Sequence, residues 1–441
     1  LDDDKSKIGR KIHGVPVLET IDLLEPVVTS LEIEDIIIAI PSVSSERMRY
    51  IVDLCKSADV NFKIIPDMGE LIDGRISINA IRNVEYRDLL GREPVRLDKK
   101  EIGGFLSQKC VLVTGAGGSI GMGLCRQICR FSPKKIILVE RAESPLYEID
   151  LELVKNFKNV DVIPVLADIQ NKAELTKIFV NFCPEIVFHA AAYKHVPMLE
   201  KHPWKAVENN VSGTENLVDV AQNAGCERFV FVSTDKAVNP ANVMGASKRI
   251  AELLVQKKNT LEVSKTRFMT VRFGNVIGSV GSVIPLFKKQ IQEGGPVTVT
   301  HPDMIRYFML IPEACQLILQ AGAMGKGGEI FILEMGEPVK IDVMARELIR
   351  FSGFEPDVDI NIVYTGLRPG EKLYEELMTD QEGVIPTNHK KIRVLSSHTG
   401  DVSNMALRLE DLKKAAENRD PDGIRKSLRR ILPEYNYETV V

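Results

Sequence analysis

Cys110-Val111-Leu112-Val113-Thr114-Gly115-Ala116-Gly117-Gly118-Ser119-Ile120-Gly121 is the stretch on which the fold turns. Its first five residues predict a buried strand, and a helix follows from Ile120 to Phe131. Glycine is needed at three places between them. Gly115 permits a tight turn, Gly118 lets the backbone approach a pyrophosphate, and Gly121 lets the helix pack on the strand. Ser119 and Ile120 open the helix, whose N-terminal amides face the phosphates. Glu140 lies roughly 20 residues on, where a carboxylate accepts from adenosine ribose hydroxyls. Glu140 favours NAD over NADP, while Arg141 beside it leaves a 2′-phosphate open. Asp168, followed by Ile169, either accepts from an adenine amino group or caps the next helix. A strand–helix turn with no ligand is the plain alternative.

Outward from this stretch, strands and helices alternate. Ile136–Val139, Val162–Val165, Ile186–Phe188 and Arg228–Ser233 read as strands. Glu143–Asn156, Lys172–Phe182 and Ala206–Ala224 read as helices between them. Alternation with short connections predicts an α/β fold with a doubly wound parallel sheet. Residues 1–82 predict a smaller Rossmann-like domain. Its strands are Val15–Leu18, the apolar run Ile36–Ile40 and Asn61–Pro66. Its helices are Ile21–Leu31 and one opened by Ser44-Ser45-Glu46, with Met48, Ile51, Val52 and Cys55 on one face. The run Ile36–Ile40 has the pattern of a strand buried on both faces. No glycine-rich turn occurs there, so no second dinucleotide site is expected. Residues 83–100, with Gly91-Arg92-Glu93-Pro94, read as a linker. Residues 101–400 form the catalytic domain, with a substrate lobe mainly over 275–400. Residues 401–441 hold two charged helices, Leu407–Asn418 and Pro421–Leu432, read as a peripheral appendage.

Composition limits the function. A chain of 441 residues suggests about three domains at roughly 150 residues each. With 44% hydrophobic and 27% charged residues, long disorder and a small disulfide scaffold are excluded. Lys+Arg 57 against Asp+Glu 61 gives a net charge of -4, so no nucleic-acid partner is expected. No apolar run reaches the roughly 18 residues of a membrane span. The start, Leu1-Asp2-Asp3-Asp4-Lys5, carries no signal pattern and reads as a cut. Seven cysteines run from Cys55 to Cys315. Cys125 and Cys129 sit one helical turn apart without the partners of a zinc site. The cysteines read as buried thiols in a reducing compartment, and no metal is expected.

The glycine spacing resembles that of the extended short-chain dehydrogenase/reductase family. So do His189-Ala190-Ala191-Ala192 and Asn209-Asn210-Val211-Ser212-Gly213-Thr214. The family's Tyr-x-x-x-Lys is represented by Met244 and Lys248, and methionine cannot move a proton. Ser233-Thr234-Asp235-Lys236-Ala237 stands where sugar-nucleotide 4,6-dehydratases carry an acid and a base. Further matches are Tyr193-Lys194-His195-Val196-Pro197, Leu367-Arg368-Pro369-Gly370-Glu371-Lys372 and Asp88–Pro94. Over nearly its whole length the chain resembles the long, membrane-associated bacterial UDP-N-acetylglucosamine 4,6-dehydratases of polysaccharide biosynthesis. Several of these carry methionine in place of the tyrosine.

The resemblance implies NAD, UDP-N-acetylglucosamine and a fixed set of roles. Ala190 and Ala191 let the cofactor pass close, and Lys248 orients its nicotinamide ribose. The C4 hydride goes to the cofactor and returns to C6. Lys236 removes the C5 proton of the 4-ketone, and Asp235 protonates the departing C6 hydroxyl. With no tyrosine at Met244, the reading adopted for the C4 hydroxyl is that Asp235, initially ionised, takes the O4 proton directly or through water, with Thr234 hydrogen-bonding that oxygen; swapped or shared roles of Asp235 and Lys236 stay open. Lys236 must then be neutral, which burial favours and its attraction to Asp235 opposes. Asn275 donates to the diphosphate, Arg306 and Arg368 clamp it, and Glu371 accepts from the uridine ribose. Lys194 and His195 orient the substrate. Otherwise Asn275 is a turn residue, Arg306 and Arg368 are surface charges, Asp235 is a helix cap and Lys236 a solvated cation. A UDP-sugar 4-epimerase and a non-catalytic NAD-binding sensor are the rival readings. The resemblance also implies a homo-oligomer. It places the full-length protein on the cytoplasmic face of a bacterial inner membrane, through helices preceding this soluble fragment.

Overall fold

The computed structural model describes residues 1–40, 45–65, 82, 83, 88, 95, 97–259, 265–379, 383–396 and 405–437. The chain falls into two compact units, residues 1–94 and 95–441. Ser44, Pro66 and the linker residues Leu89–Pro94 lie outside the described residues, as do 397–404.

In the first unit, Asp35–Ile38 and Asn61–Ile64 pair in parallel, and helix Ser45–Ser57 connects them. Met48, Ile51, Val52 and Cys55 are all buried. Two expectations need correction. Val15–Pro16 pairs antiparallel with Lys11–Ile12 instead of joining the parallel pair. Positive φ at His13 and Gly14 closes that hairpin tightly. The run from Ile36 is covered on one face only, since Ile38 is buried but Ile37 is 51% exposed.

The second unit begins with α1 (Lys99–Leu106), whose first turn is capped by the Asp98 carboxylate. Then follow β1 (Cys110–Thr114), α2 (Ser119–Cys129), β2 (Lys135–Glu140), α3 (Glu143–Asn156), β3 (Asp161–Leu166) and α4 (Lys172–Phe182). After β4 (Ile186–His189), the chain winds loosely through the π-helix Ala206–Ser212 into α5 (Gly213–Asn223). Next come β5 (Arg228–Val232), α6 (Val243–Asn259), β6 (Arg267–Arg272), α7 (Ile311–Met324), β7 (Ile330–Leu333), β8 (Val384–Pro386) and β9 (Ile392–Leu395). Two further helices, α8 (Met405–Glu417) and α9 (Pro421–Ile431), complete the unit.

One sheet runs β8-β9-β7-β6-β5-β4-β1-β2-β3. Strands β1 to β7 pair in parallel, and β9 is antiparallel to both β7 and β8. Alternate residues of the central strands fill cores on opposite faces. Val111 and Val113 pack with Leu124 and Ile128, whereas Leu112 packs with Leu175 and Leu217. Strand order reverses between β1 and β4. That reversal opens the crevice at the strands' carboxyl ends where ligands bind in this architecture.

The region beyond residue 275 is divided between lobe and sheet. Asn275–Ile277 pairs with Ile305–Leu310, which pairs with Pro338–Lys340, and Val297–Val299 pairs with Ile362–Tyr364. Strands β7, β8 and β9 return to the main sheet, because fully buried Ile330–Leu333 extends its parallel edge. The C-terminal helices are likewise no peripheral appendage. Leu409, Leu412, Ile424 and Leu428 are buried in one core with Val243, Met244, Ile250 and Leu254. Counting their charges hid an apolar stripe at helical spacing. Six of the seven cysteines are buried; Cys183 is exposed, at the left-handed C-cap of α4.

Candidate active site

The end of β1 and the start of α2 form the phosphate turn. Gly115 adopts φ +67, and a Cβ there would lie 2.7 Å from the Ala191 backbone. Ala190 and Ala191 thus close tightly on the turn at the sheet's switch point. A Cβ on Gly121 would strike the Gly115 carbonyl at 1.9 Å, so α2 packs on the turn itself. Gly118 is the N-cap of α2, and the Ser119 hydroxyl accepts from the Val280 amide at 3.2 Å. The Glu140 carboxylate accepts from the amides of Gly117, Arg141 and Ala142 at 3.1, 2.9 and 3.1 Å. Arg141 lies 3.9 Å from Asp168 and stacks over Tyr193, 4.3 Å from the ring centroid. Asp168 is not the cap of α4. Asn171 is, and Asp168 instead accepts from the Gln170 amide at 2.9 Å. Ile169 is buried against α5, where Gly213 leaves room for it.

Buried polar ties hold the neighbouring strand ends. The His189 ring bridges the hydroxyls of Thr114 and Thr214 at 2.8 and 2.9 Å, and burial holds it well below its ordinary pKa. Asn210 accepts from the Tyr193 amide at 2.9 Å, and its own amide donates to the Ser247 hydroxyl at 3.0 Å. Lys194 and His195 are exposed on the same connection, and His195 packs against Gly281 at φ +70.

The loop after β5 carries a cluster of interacting polar side chains. Asp235 is 1% exposed. Its Oδ1 accepts from the Thr234 hydroxyl at 2.8 Å and from Lys236 Nζ at 3.0 Å. Lys236 Nζ also donates to Asn275 Oδ1 at 3.2 Å and lies 3.5 Å from Glu375 Oε1. Burial works to lower the Lys236 pKa, but attraction to Asp235 and Glu375 outweighs it, and the net direction is upward. Of the two opposing influences on the Lys236 amine, the attraction to its carboxylates prevails over burial here. Gly245 brings α6 directly onto this loop, since a Cβ there would strike the Lys236 carbonyl at 2.1 Å.

Lys248 is also buried, at 6% exposure. Its ammonium donates to the Val232 carbonyl at 2.7 Å and sits 4.0 Å from the Phe231 ring centroid. Burial pushes its pKa down to about 7, and Glu252 offsets this only in part. Met244 is buried in the core shared with α8 and α9. Glu252 is engaged elsewhere. It accepts from Arg272 Nε and Nη2 at 2.8 and 2.7 Å, from the Ser233 hydroxyl at 2.6 Å and from Arg249 at 3.1 Å. Burial would raise its pKa, but Arg272 brings it down to about 2.

On the lobe side the structure redistributes the expected roles. Asn275 turns its amide oxygen to Lys236. Arg306 is 7% exposed and donates to the carbonyls of Ile305, Lys372 and Leu373 at 2.7, 2.6 and 3.0 Å. It is not a surface charge, and part of its donor capacity goes to backbone. Glu371 accepts from Thr300 at 3.4 Å and from the Arg368 amide at 3.1 Å, while Arg368 itself is exposed. Sequence reasoning missed Glu375, whose side chain is 4% exposed between Lys236 and Arg306. The only available signal was the pair Glu375-Glu376 just after Leu373-Tyr374. Among the described residues, no group of three or more His, Cys, Asp or Glu could hold a metal. No described helix is long and apolar enough to cross a membrane.

Fold and site together define an extended short-chain dehydrogenase/reductase. Residues 111–397 match the family model described as "Polysaccharide biosynthesis protein", and the chain belongs to that family. It is 50% identical over 384 residues to the capsular polysaccharide biosynthesis protein CapD of Staphylococcus aureus, covering 87% of this chain and 64% of that one. It is 32% identical over 281 residues to a UDP-N-acetylglucosamine 4,6-dehydratase (inverting) of Campylobacter jejuni, covering 63% of this chain and 80% of the relative. A UDP-glucose 4-epimerase of Rickettsia rickettsii is 34% identical over 281 residues, covering 62% of this chain and 79% of the relative.

Proposed function

We propose that the chain catalyses NAD-dependent 4,6-dehydration of UDP-N-acetylglucosamine to a UDP-4-keto-6-deoxy-N-acetylhexosamine. The observation that carries this reading is the Asp235–Lys236 ion pair, buried at its carboxylate and partly buried at its amine, at the carboxyl end of β5 beside the sheet's switch point. An epimerase needs no acid and base for C5 and C6; a dehydratase needs both.

The residues around the switch point fit a dinucleotide. Ala191 closes on Gly115, and the α2 N-terminus is free of any side-chain cap. Glu140 stands at the end of β2, and Arg141 is drawn to Asp168, which favours NAD over NADP. Gly115, Gly118, Ser119, Ile120, Gly121, Glu140, Asp168, Ile169, Ala190 and Ala191 would hold it. When bound, it accepts the C4 hydride and returns it at C6. Lys248 orients the ribose on the nicotinamide side.

Asp235 takes the O4 proton and later gives it to the C6 hydroxyl, which leaves as water. Lys236 first loses its ammonium proton to solvent, then takes the C5 proton and returns it, and a solvent proton restores the ammonium. The hydride lost at C4 is regained at C6, so no second substrate is needed. Thr234 holds the O4 side through its hydroxyl. Asn275, Arg368 and Glu371 contribute to the nucleotide-diphosphate end, with Lys194 and His195 at the rim and Arg306 supporting the segment.

The 4-epimerase reading draws on the Rickettsia relative. One experiment separates the two: NMR of the product of UDP-N-acetylglucosamine incubated in deuterated water. A 6-deoxy-4-ketone with deuterium at C5 is expected. Inversion at C4 without water loss would replace the dehydratase with the epimerase.

A further inference from the structure

Three groups surround the Lys236 amine, and one comes from a distant part of the chain. Asp235 Oδ1 lies at 3.0 Å, Asn275 Oδ1 at 3.2 Å and Glu375 Oε1 at 3.5 Å. The Glu375 side chain is 4% exposed, and its other charged neighbour is Arg306 at 3.7 Å. Arg306 also donates to the carbonyls of Lys372 and Leu373. One guanidinium therefore pairs with the Glu375 carboxylate and fixes the backbone leading to it. A carboxylate so buried, aimed at the amine and held from behind, is built in place.

We propose that Glu375 is a positioning residue of the acid–base cluster, holding the Lys236 amine between two carboxylates and setting the pH at which it gives up its proton. This rests on the dehydratase reading above. In that cycle Asp235 alternates between carboxylate and acid. Were Asp235 the sole partner, each change would remove or restore the whole counter-charge of Lys236. The amine's proton affinity would then fall by the full strength of that contact when Asp235 takes the O4 proton, and rise as far when Asp235 gives it up. Glu375 leaves one carboxylate beside the amine whichever state Asp235 is in. The charged groups facing Lys236 are Asp235 and Glu375, which favour the ammonium, and Arg306, which disfavours it. Because Glu375 lies on the lobe segment and Lys236 follows β5, the contact also ties the base to the substrate side.

The test is a titration of the Lys236 amine in the full chain by lysine carbon-13 NMR, assigned with Lys236→Arg. Wild type is compared with Glu375→Gln and Glu375→Asp. The pH dependence of C5 deuterium exchange in UDP-N-acetylglucosamine is measured in parallel. Removing an opposite charge lowers the amine's midpoint, so Glu375→Gln should move it down by about one pH unit. Glu375→Asp should restore most of the difference. The rising limb of C5 exchange should move down with it. An unmoved midpoint overturns the proposal, even if activity falls, because a purely structural role through Arg306 would give that result. If the midpoint moves while wild type leaves UDP-N-acetylglucosamine untouched, the Glu375 assignment stands and the dehydratase reading fails. If it stays while wild type turns over, the reverse holds.

Discussion

The loop after β5 holds a partly buried lysine and the first turns of α6 a buried one, and the two are driven in opposite directions. Desolvation disfavours both ammonium groups. Lys236 meets Asp235 and Glu375, and the attraction wins, so its pKa rises. Lys248 meets a carbonyl and a ring face, and its pKa falls to about 7. Glu252, one turn along the helix from Lys248, is drawn off by Arg272, Arg249 and Ser233. Burial alone therefore does not set a lysine's charge; the partners left to it do. The difference fits the proposed role of Lys236 in proton transfer beside two carboxylates. It assigns Lys248 to a site where charge is easily shed.

The sharpest way to break this contrast is to remove the cluster's own members. Lys236→Ala should stop C5 exchange in deuterated water, with a loss of about 10²- to 10⁴-fold. Asp235→Asn should abolish both ketone formation and water loss. Normal C5 exchange in Lys236→Ala would remove its role as base. A 4-ketone accumulating in Asp235→Asn would show that another group takes the O4 proton.

The second test concerns the carboxylate that Lys248 does not get. Glu252→Gln leaves the buried Arg272 guanidinium without its bidentate partner. Breaking such a pair costs about 3–5 kcal/mol, readable as a lower midpoint in urea denaturation. The acid side has a definite sign. Glu252 is held at about 2, below its ordinary value. Its contribution is full above the ordinary carboxylate range and is lost as pH falls toward 2. Glu252→Gln should lack that acid-side loss. It should also drive Lys248 further down, since Glu252 is the charge that raises it. A neutral outcome in urea would mean that Arg272 finds another partner.

Much of this arrangement was legible in the sequence, and the remainder has a common cause. The sheet was readable because β1, β2 and β4 are short apolar runs buried on both faces, bounded by turn residues. The phosphate turn and the Asp235–Lys236 pair were readable because their members are chain neighbours. Glu375, Arg272 and the new place of Arg306 depend on contacts between distant segments, and no local spacing encodes those. Asn275 and Arg306 were assigned to a diphosphate by motif, and no local spacing shows that the Asn275 amide oxygen also meets Lys236 or that Arg306 also meets backbone carbonyls. The C-terminal helices looked peripheral because charge was counted along the chain. Ile424, Leu428 and Ile431 recur on one face and bury against α6.

The smallest effect expected is also the most direct measure of the contrast. An unfolded lysine titrates near 10.5, and folded Lys248 near 7. Between those values the unfolded chain binds the extra proton, so stability must rise with pH. The gain should be about 2 kcal/mol between pH 7 and roughly 9. Below pH 7 both states are charged, and the slope from this group vanishes. Lys248→Met removes the titration and keeps an unbranched apolar stem. The wild type should therefore gain stability relative to Lys248→Met over that window, measured by urea denaturation at matched pH. Taking the difference cancels every other group that titrates there. Lys236 supplies the internal control, since its raised pKa gives the opposite sign. Stability it contributes is present below its ordinary pKa and lost as pH rises through the raised one. A flat difference curve would mean that Lys248 keeps its charge when folded. The two lysines would then differ in geometry but not in protonation.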